Sequence, residues 1–380
     1  MHKFLSLLFV LLLGITPAMA EEDDDFSLGD LPPTQTIVLK TTVEDDGTIV
    51  EEIEERSIYE EDGSVLITLT ATGDFTIGGD TRKSNDIFQN ELTKQGGDIN
   101  FPLRNMRELL LQDDLTLVNF EGTLTNSTYV PSSKRDNSFL FSAPPSYVSM
   151  LPDNGIEAVS LENNHVMDHG EDAYTDTQNA LSGAGIVWSN SDHAGVIEVK
   201  GVQICMLSYL TIDRYSELWT KVPADIAYYK TLYPIVIVSF HWGYELDYAP
   251  RDNQIKMGRL AVDSGADLVI GHHSHRINPI EYYNGVYICY SLGNFSFSGN
   301  SKPSDMSSFL FQTRFRVRDD VVTNEGFRII PIRISSQEGY NDFCPTLLTK
   351  ETSVDSVLVT LKQNGRKLPY AVDHYPLEWE

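Results

Sequence analysis

Three histidines within four positions, His272, His273 and His275, follow a short apolar run that ends at Ile270. In an extended backbone, residues two apart project to the same side, so we expect His273 and His275 to share a target while His272 faces away. Neutral imidazoles bind zinc, iron, manganese or nickel. Two imidazoles make an incomplete metal site, so other segments must supply further ligands; a polar loop after a buried strand is the alternative interpretation.

The chain supplies further candidates at the ends of its apolar runs. From about residue 65, short β-branched or apolar runs alternate with helix-like segments, a pattern typical of an α/β fold. Five predicted strands end in polar or ionisable residues: Asp74, Glu121, Asn164 with His165, His241, and His273 with His275. Because ligands of α/β sheets bind outside the carboxyl ends of the strands, these segments are expected to converge.

Apart from His165, the converging side chains are two carboxylates, one amide and three imidazoles, a mixed oxygen and nitrogen set that suits two divalent ions with one carboxylate bridging them. Each residue has a simpler interpretation. Asp74 and Asn164 are residue types found in turns, and His165 is compatible with a surface position. His241, however, closes an apolar strand where burial without a partner is costly. The recurrence at five strand ends favours a metal site.

Composition excludes some functions. The chain of 380 residues has 55 Asp and Glu against 28 Lys and Arg, a formal net charge of −27. Nucleic acids and anionic membranes are bound by basic patches, so neither is an expected partner. An anionic substrate would need metal ions or local basic residues, for which Arg251 and Arg276 are candidates. The 3 cysteines are too few for a disulfide framework.

The amino-terminal pattern predicts export. Lys3, an apolar run from Phe4 to Leu13 and the small residues before Glu21 are typical of a secretory signal peptide. We expect an extracellular, periplasmic or cell-envelope location, with no transmembrane helix after signal cleavage. The predicted divisions are a signal peptide (1–20), an acidic linker with a β-hairpin or meander (21–64), the main domain (65–336) and an appended carboxyl-terminal segment (337–380).

Six short motifs follow one another along the main domain. They are Gly73-Asp74, Asn119-Phe120-Glu121-Gly122, Asn163-Asn164-His165, His241-Trp242-Gly243, Gly271-His272-His273-Ser274-His275 with Pro279-Ile280-Glu281, and Ser291-Leu292-Gly293-Asn294-Phe295. From about residue 65 to 334, this ordered set resembles the CapA/PgsA family of poly-γ-glutamate capsule synthesis proteins. That family resembles the calcineurin-like metallophosphoesterases, which implies a four-layer α/β/β/α sandwich, here preceded by an acidic β-rich amino-terminal extension.

The resemblance also implies a role for each site residue. Asp74 and His275 would bind one divalent ion, Asn164, His241 and His273 the second, and Glu121 would bridge them. His165 would act as the general acid or contact a phosphate. Three further residues would support the ligands or contact substrate: Asn119, His272 and Asn294. The resemblance implies two divalent ions, each of them Mn, Zn or Fe. They would lower the pKa of a water and stabilise charge in a displacement reaction.

Two departures from the metallophosphoesterase pattern leave the activity open. Thr76 stands two residues after Asp74, where such enzymes usually have a histidine, and Glu121 stands for their bridging aspartate. Ser274 also replaces a proline that is usual in the capsule-synthesis pattern. The leading hypothesis is an exported protein with a metallophosphatase-type site that acts in synthesis, transfer or attachment of an anionic surface polymer.

Two alternatives accompany this hypothesis: a non-catalytic polymer-binding or assembly subunit, and a metal-dependent hydrolase of phosphoester or γ-glutamyl amide bonds. The expected partners are an anionic polymer or phosphoester substrate and membrane-bound capsule synthesis proteins.

Overall fold

The computed structural model describes residues 33–44, 49–80, 82–83, 85–134, 138–212, 215–319 and 321–380. The predicted signal peptide and the first part of the predicted acidic linker lie outside these residues. The strands are Thr34–Val43 (β1), Ile49–Ser57 (β2), Val65–Phe75 (β3), Leu115–Phe120 (β4), Thr123–Leu124 (β5), Ser142–Ala143 (β6), Ala158–Ser160 (β7), Val187–Ser189 (β8), Gly195–Val199 (β9), Val202–Leu210 (β10), Ile235–His241 (β11), Leu268–His272 (β12), Ile280–Tyr283 (β13), Val286–Cys289 (β14), Ser307–Arg318 (β15), Val321–Arg333 (β16) and Thr346–Leu347 (β17). The α-helices are Ile87–Lys94 (α1), Arg107–Leu110 (α2), Gly170–Gly183 (α3), Tyr215–Lys230 (α4), Asp252–Asp263 (α5) and Glu351–Gly365 (α6), and two 3-10 helices span Pro145–Met150 and Pro152–Asn154.

Most strands belong to two sheets. The seven-stranded sheet has the order β17-β16-β15-β3-β4-β7-β8, and its strands β3, β4, β7 and β8 run parallel. The six-stranded sheet has the order β13-β14-β12-β11-β10-β9, with β10, β11, β12 and β14 parallel. Parallel strands are apolar on both sides, so both faces of each sheet must be covered.

Three apolar clusters cover those faces. The inner faces of the two sheets pack on each other, with Leu69 and Leu117 of one sheet in the same cluster as Ile237 and Ile270 of the other. The outer face of the seven-stranded sheet packs against α1, α2 and α3. The outer face of the six-stranded sheet packs against α4 and α5. This order of layers confirms the predicted four-layer α/β/β/α sandwich.

The two ends of the described chain attach differently to the sandwich. β1 and β2 form an antiparallel hairpin, the expected acidic β-rich extension, which reaches the sandwich through the Arg107 to Glu51 ion pair at 2.7 Å. At the other end, β17 pairs with β16, and Val357 and Leu361 of α6 join the core between the sheets. Among the described residues, none of the helices combines the length and apolarity that crossing a membrane requires.

Candidate metal centre

The carboxyl ends of the parallel strands meet at one edge of the sandwich. In the seven-stranded sheet Asp74 pairs in register with Asn119, and in the six-stranded sheet His241 pairs with His272. Because the two sheets face each other, both pairs point into the same region. The structure brings the six predicted ligands together there: Asp74, Glu121, Asn164, His241, His273 and His275.

Asp74 is the central carboxylate of this group. It is fully buried, and Nδ1 of His275 lies 2.9 Å from its Oδ2 while Nδ1 of His272 lies 3.3 Å from its Oδ1. The Asn119 amide donates a hydrogen bond to Asp74 Oδ1 at 2.9 Å. Burial alone would raise the pKa of Asp74, but the two imidazoles more than offset burial and hold that pKa well below its usual range. Asp74 is therefore anionic, the form in which a carboxylate binds metal.

Glu121 is the second buried carboxylate. Its Oε1 accepts a hydrogen bond from the Asn119 amide at 2.9 Å, whereas its buried Oε2 has no hydrogen-bond partner among the described residues. Burial, and then the negative charge of Asp74, raise the pKa of Glu121 well above its ordinary value. Ligand atoms of Asp74, Glu121 and His275 all lie within 4.8 Å of one another. A cation at this point would satisfy the unpaired oxygen.

The second half of the site contains Asn164, His241 and His273. Nε2 of His241 lies 2.8 Å from Oδ1 of Asn164, and the rings of His241 and His273 are 4.6 Å apart. Nδ1 of His273 is buried without a hydrogen-bond partner in the described chain. Burial, reinforced by the nearby His275, lowers the pKa of His273 to about 4, and burial lowers that of His241 well below its ordinary value. Both imidazoles are thus neutral, the form that binds metals.

The histidine loop itself is not extended. β12 ends at His272, and His273 and His275 have φ of 90° and 52°, in the left-handed region that residues other than glycine rarely adopt. The two-residue alternation expected from an extended backbone is therefore wrong beyond His272. His272 also does not face away, because it is buried beside Asp74. Strained residues cluster at functional sites, where the surrounding contacts hold them.

His165 lies at the rim of the site. Its Nδ1 is 2.8 Å from Oδ2 of Asp168, a buried carboxylate that also accepts from the Phe141 amide at 2.7 Å and from Lys134. The His165 ring packs 4.8 Å from that of Phe141. This arrangement fixes the ring through Nδ1 and leaves Nε2 as the nitrogen that is not engaged by Asp168. Asp168 was not predicted, although its spacing of three residues from His165 is a usable signal.

The remaining predicted residues support the ligands. Asn119 joins the two carboxylates, and Oδ1 of Asn294 lies 2.8 Å from Nδ1 of His275, which fixes that ring. Thr76, at the position where a histidine is usual, accepts a hydrogen bond from the Ser298 amide at 2.8 Å. The Thr76 hydroxyl is thus part of the supporting frame.

A cleft of about 1060 Å³ opens beside these residues. His165, His275 and Asn294 lie on its inner side, together with Glu245, which the sequence did not single out. Four cationic residues also line the cleft: Arg82, Lys83, Arg276 and Lys302. Arg276 was one of the two predicted basic candidates. The other, Arg251, pairs with Asp247 at 2.7 Å and is not among the lining residues.

The donor set fits divalent cations. Carboxylate and amide oxygens are combined with imidazole nitrogens, and two buried donor atoms, Glu121 Oε2 and His273 Nδ1, lack partners among the described residues. Cys205, Cys289 and Cys344 are buried elsewhere as free thiols. The arrangement is therefore suited to an accessible metal site of oxygen and nitrogen ligands rather than a closed cysteine site.

Comparison with known proteins finds relatives among capsule biosynthesis proteins. The chain is 34% identical over 205 residues to the PGA biosynthesis protein CapA of Bacillus subtilis, a match covering 48% of this chain and 53% of that protein. It is 27% identical over 297 residues to the capsule biosynthesis protein CapA of Bacillus anthracis, covering 72% of this chain and 68% of that protein. The chain thus spans about half the length of the first relative and about two thirds of the second.

A solved structure and a family model complete the comparison. The crystal structure of the calcineurin-like phosphoesterase YfkN from Bacillus subtilis is similar at 14% identity and a TM-score of 0.43, covering 79% of this chain and 98% of that chain. The family model described as bacterial capsule synthesis protein PGA_cap matches residues 68–298, which include all six predicted ligands. This chain belongs to the PGA_cap family of bacterial capsule synthesis proteins.

Proposed function

We propose that this protein acts in the synthesis, transfer or attachment of an anionic surface polymer such as poly-γ-glutamate, through a metallophosphatase-type site that holds two divalent ions. The family membership and the names of the two Bacillus relatives support the polymer. The observation that carries the metal site is the convergence of two carboxylates and three imidazoles around unpaired buried donor atoms.

The cleft supports an anionic substrate. The chain as a whole is strongly acidic, yet this cleft is lined by four cationic residues, Arg82, Lys83, Arg276 and Lys302, against three acidic ones, Asp80, Asp86 and Glu245. Arg82 and Lys83 both pair with Asp80. Local positive charge offsets the repulsion that an acidic protein exerts on a polyanion. Arg276 is held in place by a hydrogen bond to the Ser304 hydroxyl at 2.9 Å. The substrate would lie along this wall with its reacting group beside His165.

Different residues of the chain would position the ions and donate the proton. Bound divalent ions would supply Lewis-acid stabilisation of charge on substrate oxygens and lower the pKa of a water. Asp74, Glu121 and the imidazoles would position those ions. His165, oriented by Asp168, would donate a proton from Nε2 to the leaving group. Export, proposed from the amino-terminal pattern, would place the protein at the cell envelope, and sequencing the amino terminus of the mature protein tests it.

The test of the enzymatic proposal is a turnover screen. Purified protein is assayed with phosphomonoesters, phosphodiesters and γ-glutamyl amides in the presence of Mn²⁺ or Zn²⁺, and His165→Ala is compared with wild type at equal metal content. Turnover of a phosphoester that His165→Ala abolishes supports the proposal. Shortening of poly-γ-glutamate with inert phosphoesters supports the amide hydrolase instead.

One observation favours a non-catalytic role as the second candidate. Thr76, which replaces the usual histidine, is committed to its contacts with Ser298, so one ion would lack a customary ligand. Under this alternative the protein would bind polymer and metal without turnover of any substrate in the screen. Binding of poly-γ-glutamate without cleavage, measured by calorimetry, would identify it.

A further inference from the structure

We propose that Glu245, together with His273 and His275, forms an additional part of the metal centre, with the Glu245 carboxylate as a ligand on the cleft side. The inference rests on the proposed metal site. One ligand atom from each of Glu245, His273 and His275 lies within 4.8 Å of the other two. Two imidazoles and one carboxylate are a common set for divalent transition metals.

The loop that carries Glu245 is fastened to the histidine loop. The Leu246 amide donates a hydrogen bond to the Ser274 carbonyl at 2.7 Å, between the two histidines of the trio. The Asn278 side-chain amide donates to the Asp247 carbonyl at 2.9 Å. Leu246 also has a φ of 67°, so this tight approach is held against backbone strain. Glu245 is thereby kept above His273 and His275 although its side chain is exposed.

A second observation points to a cation in the same place. Nδ1 of His273 is buried and has no hydrogen-bond partner in the described part of the chain, and His273 is 7% exposed. A buried polar atom without a partner is costly, and an ion bound to this nitrogen would satisfy it. The unpaired nitrogen therefore supports a cation bound at His273, the residue that lies within 4.8 Å of the Glu245 carboxylate by ligand atom.

His275 links the trio to the rest of the centre. It belongs to the group with Asp74 and Glu121 as well as to the group with Glu245 and His273. A carboxylate added on the cleft side would replace the ligand that Thr76 does not supply. Glu245 comes from the loop after β11 and not from β3, so the missing ligand would be provided by the other sheet. An ion held there would also face the cleft and be open to a substrate oxygen.

The test measures metal binding in the full chain. Glu245→Gln removes the charge at constant size, and Asp247→Asn is the matched control, since Asp247 lies in the same loop and pairs with Arg251. We expect Glu245→Gln to weaken binding of one Mn²⁺ ion at least tenfold by isothermal titration calorimetry, and Asp247→Asn to change it less than twofold. With Co²⁺, the visible absorption spectrum should change in Glu245→Gln and stay unchanged in Asp247→Asn.

The outcomes separate this inference from the proposed function. Wild-type affinity and an unchanged Co²⁺ spectrum in Glu245→Gln, with binding lost in Asp74→Asn, would overturn the role of Glu245 and leave the metal centre intact. A wild-type chain that binds neither Mn²⁺ nor Co²⁺ would overturn both the role of Glu245 and the proposed metal centre. Equal weakening in Glu245→Gln and Asp247→Asn would also overturn it, because the effect would then reflect the charge of the loop.

Discussion

Nδ1 of His275 lies 2.9 Å from Oδ2 of Asp74, although Asp74 belongs to the seven-stranded sheet and His275 follows β12 of the six-stranded sheet. The contact joins the two sheets at the edge where their parallel strands end. Asp74 also accepts from the His273 amide at 3.2 Å, so the histidine loop is anchored to β3 by side chain and backbone together. Binding of a cation there would couple the two halves of the sandwich.

This coupling predicts that divalent metal stabilises the fold. At a free ion concentration 100 times the Kd, binding to the folded state alone adds about 2.7 kcal/mol. We expect the midpoint of thermal unfolding to rise by several degrees with Mn²⁺ or Zn²⁺ and to fall back with chelator. His241→Ala should lose the metal-dependent increase. An increase of equal size in His241→Ala would contradict binding at this site.

Close approach of two backbones predicts that a side chain at Gly73 destabilises the fold. A Cβ at Gly73 would lie 2.2 Å from the carbonyl oxygen of Gly293, the same oxygen that accepts from the Asp74 amide at 3.0 Å. Gly73→Ala should therefore lower the free energy of unfolding by about 1–3 kcal/mol, as overpacking does. It should weaken metal binding as well, because Asp74 must shift.

Gly183→Ala is the matched control for Gly73→Ala. Gly183 ends α3, and a Cβ there meets no atom within 4 Å. We expect this variant to be neutral or stabilised by up to about 1 kcal/mol, the difference in helix propensity. Chemical denaturation of both variants gives the comparison. Equal unfolding free energies for the two variants would show that the approach at Gly293 is not restrictive.

The site and the fold could be predicted from the sequence to different extents. The strands before the predicted ligands include long apolar runs such as Ile235–His241, whose composition predicts burial on both faces. In contrast, α4 spans Tyr215–Lys230 and contains Pro223, and no helix was predicted there. Short strands such as Val187–Ser189 also went unpredicted, because three residues carry too little pattern.

Residue types at strand ends indicated the site but not its internal geometry. The positive φ of His273 and His275 depends on contacts with distant segments, including the Asp74 carboxylate and the Ser274 to Leu246 hydrogen bond. Those contacts exist only after folding, so alternation along an extended strand could not describe them. Glu245 was missed for the same reason: an exposed acid in a loop has no signal of its own in an acidic chain.

A partly buried carboxylate at the amino-terminal end of β7 predicts a pH dependence of stability. Burial raises the pKa of Glu157 from its ordinary value to about 7, and its Oε2 accepts from the Thr116 amide at 2.8 Å. The folded state therefore binds this proton more tightly than the unfolded state. The resulting stability is fully present below pH 4.5 and is lost as pH rises through about 7.

Glu157→Gln imitates the protonated form and should remove this dependence. At pH 5 the variant and wild type should have similar unfolding free energies, and at pH 8 the variant should be more stable by about 1–3 kcal/mol. Denaturant unfolding at both pH values, with chelator present, measures the difference. A variant that is less stable than wild type at pH 8 would contradict the raised pKa.

The rim position of His165 predicts that catalysis and metal binding can be separated. His165→Ala should retain its metal and lose turnover by about 10²–10⁴-fold, the range for a lost general acid. Asp168→Asn should reduce turnover less, since the imidazole that would donate the proton is retained and loses only its ionised partner. Steady-state rates and metal content are measured on the same preparations. Loss of metal in His165→Ala would instead make His165 a ligand.

The most direct test of the metal centre is the metal content of the purified full chain by mass spectrometry, for wild type, Glu121→Ala and His273→Ala, with Asp247→Asn as the control. Wild type and Asp247→Asn should carry stoichiometric transition metal, with two ions per chain at full occupancy, and the other two variants should carry less. Wild type without stoichiometric metal, or Glu121→Ala and His273→Ala with unchanged content, would contradict a metal centre at this edge of the sandwich.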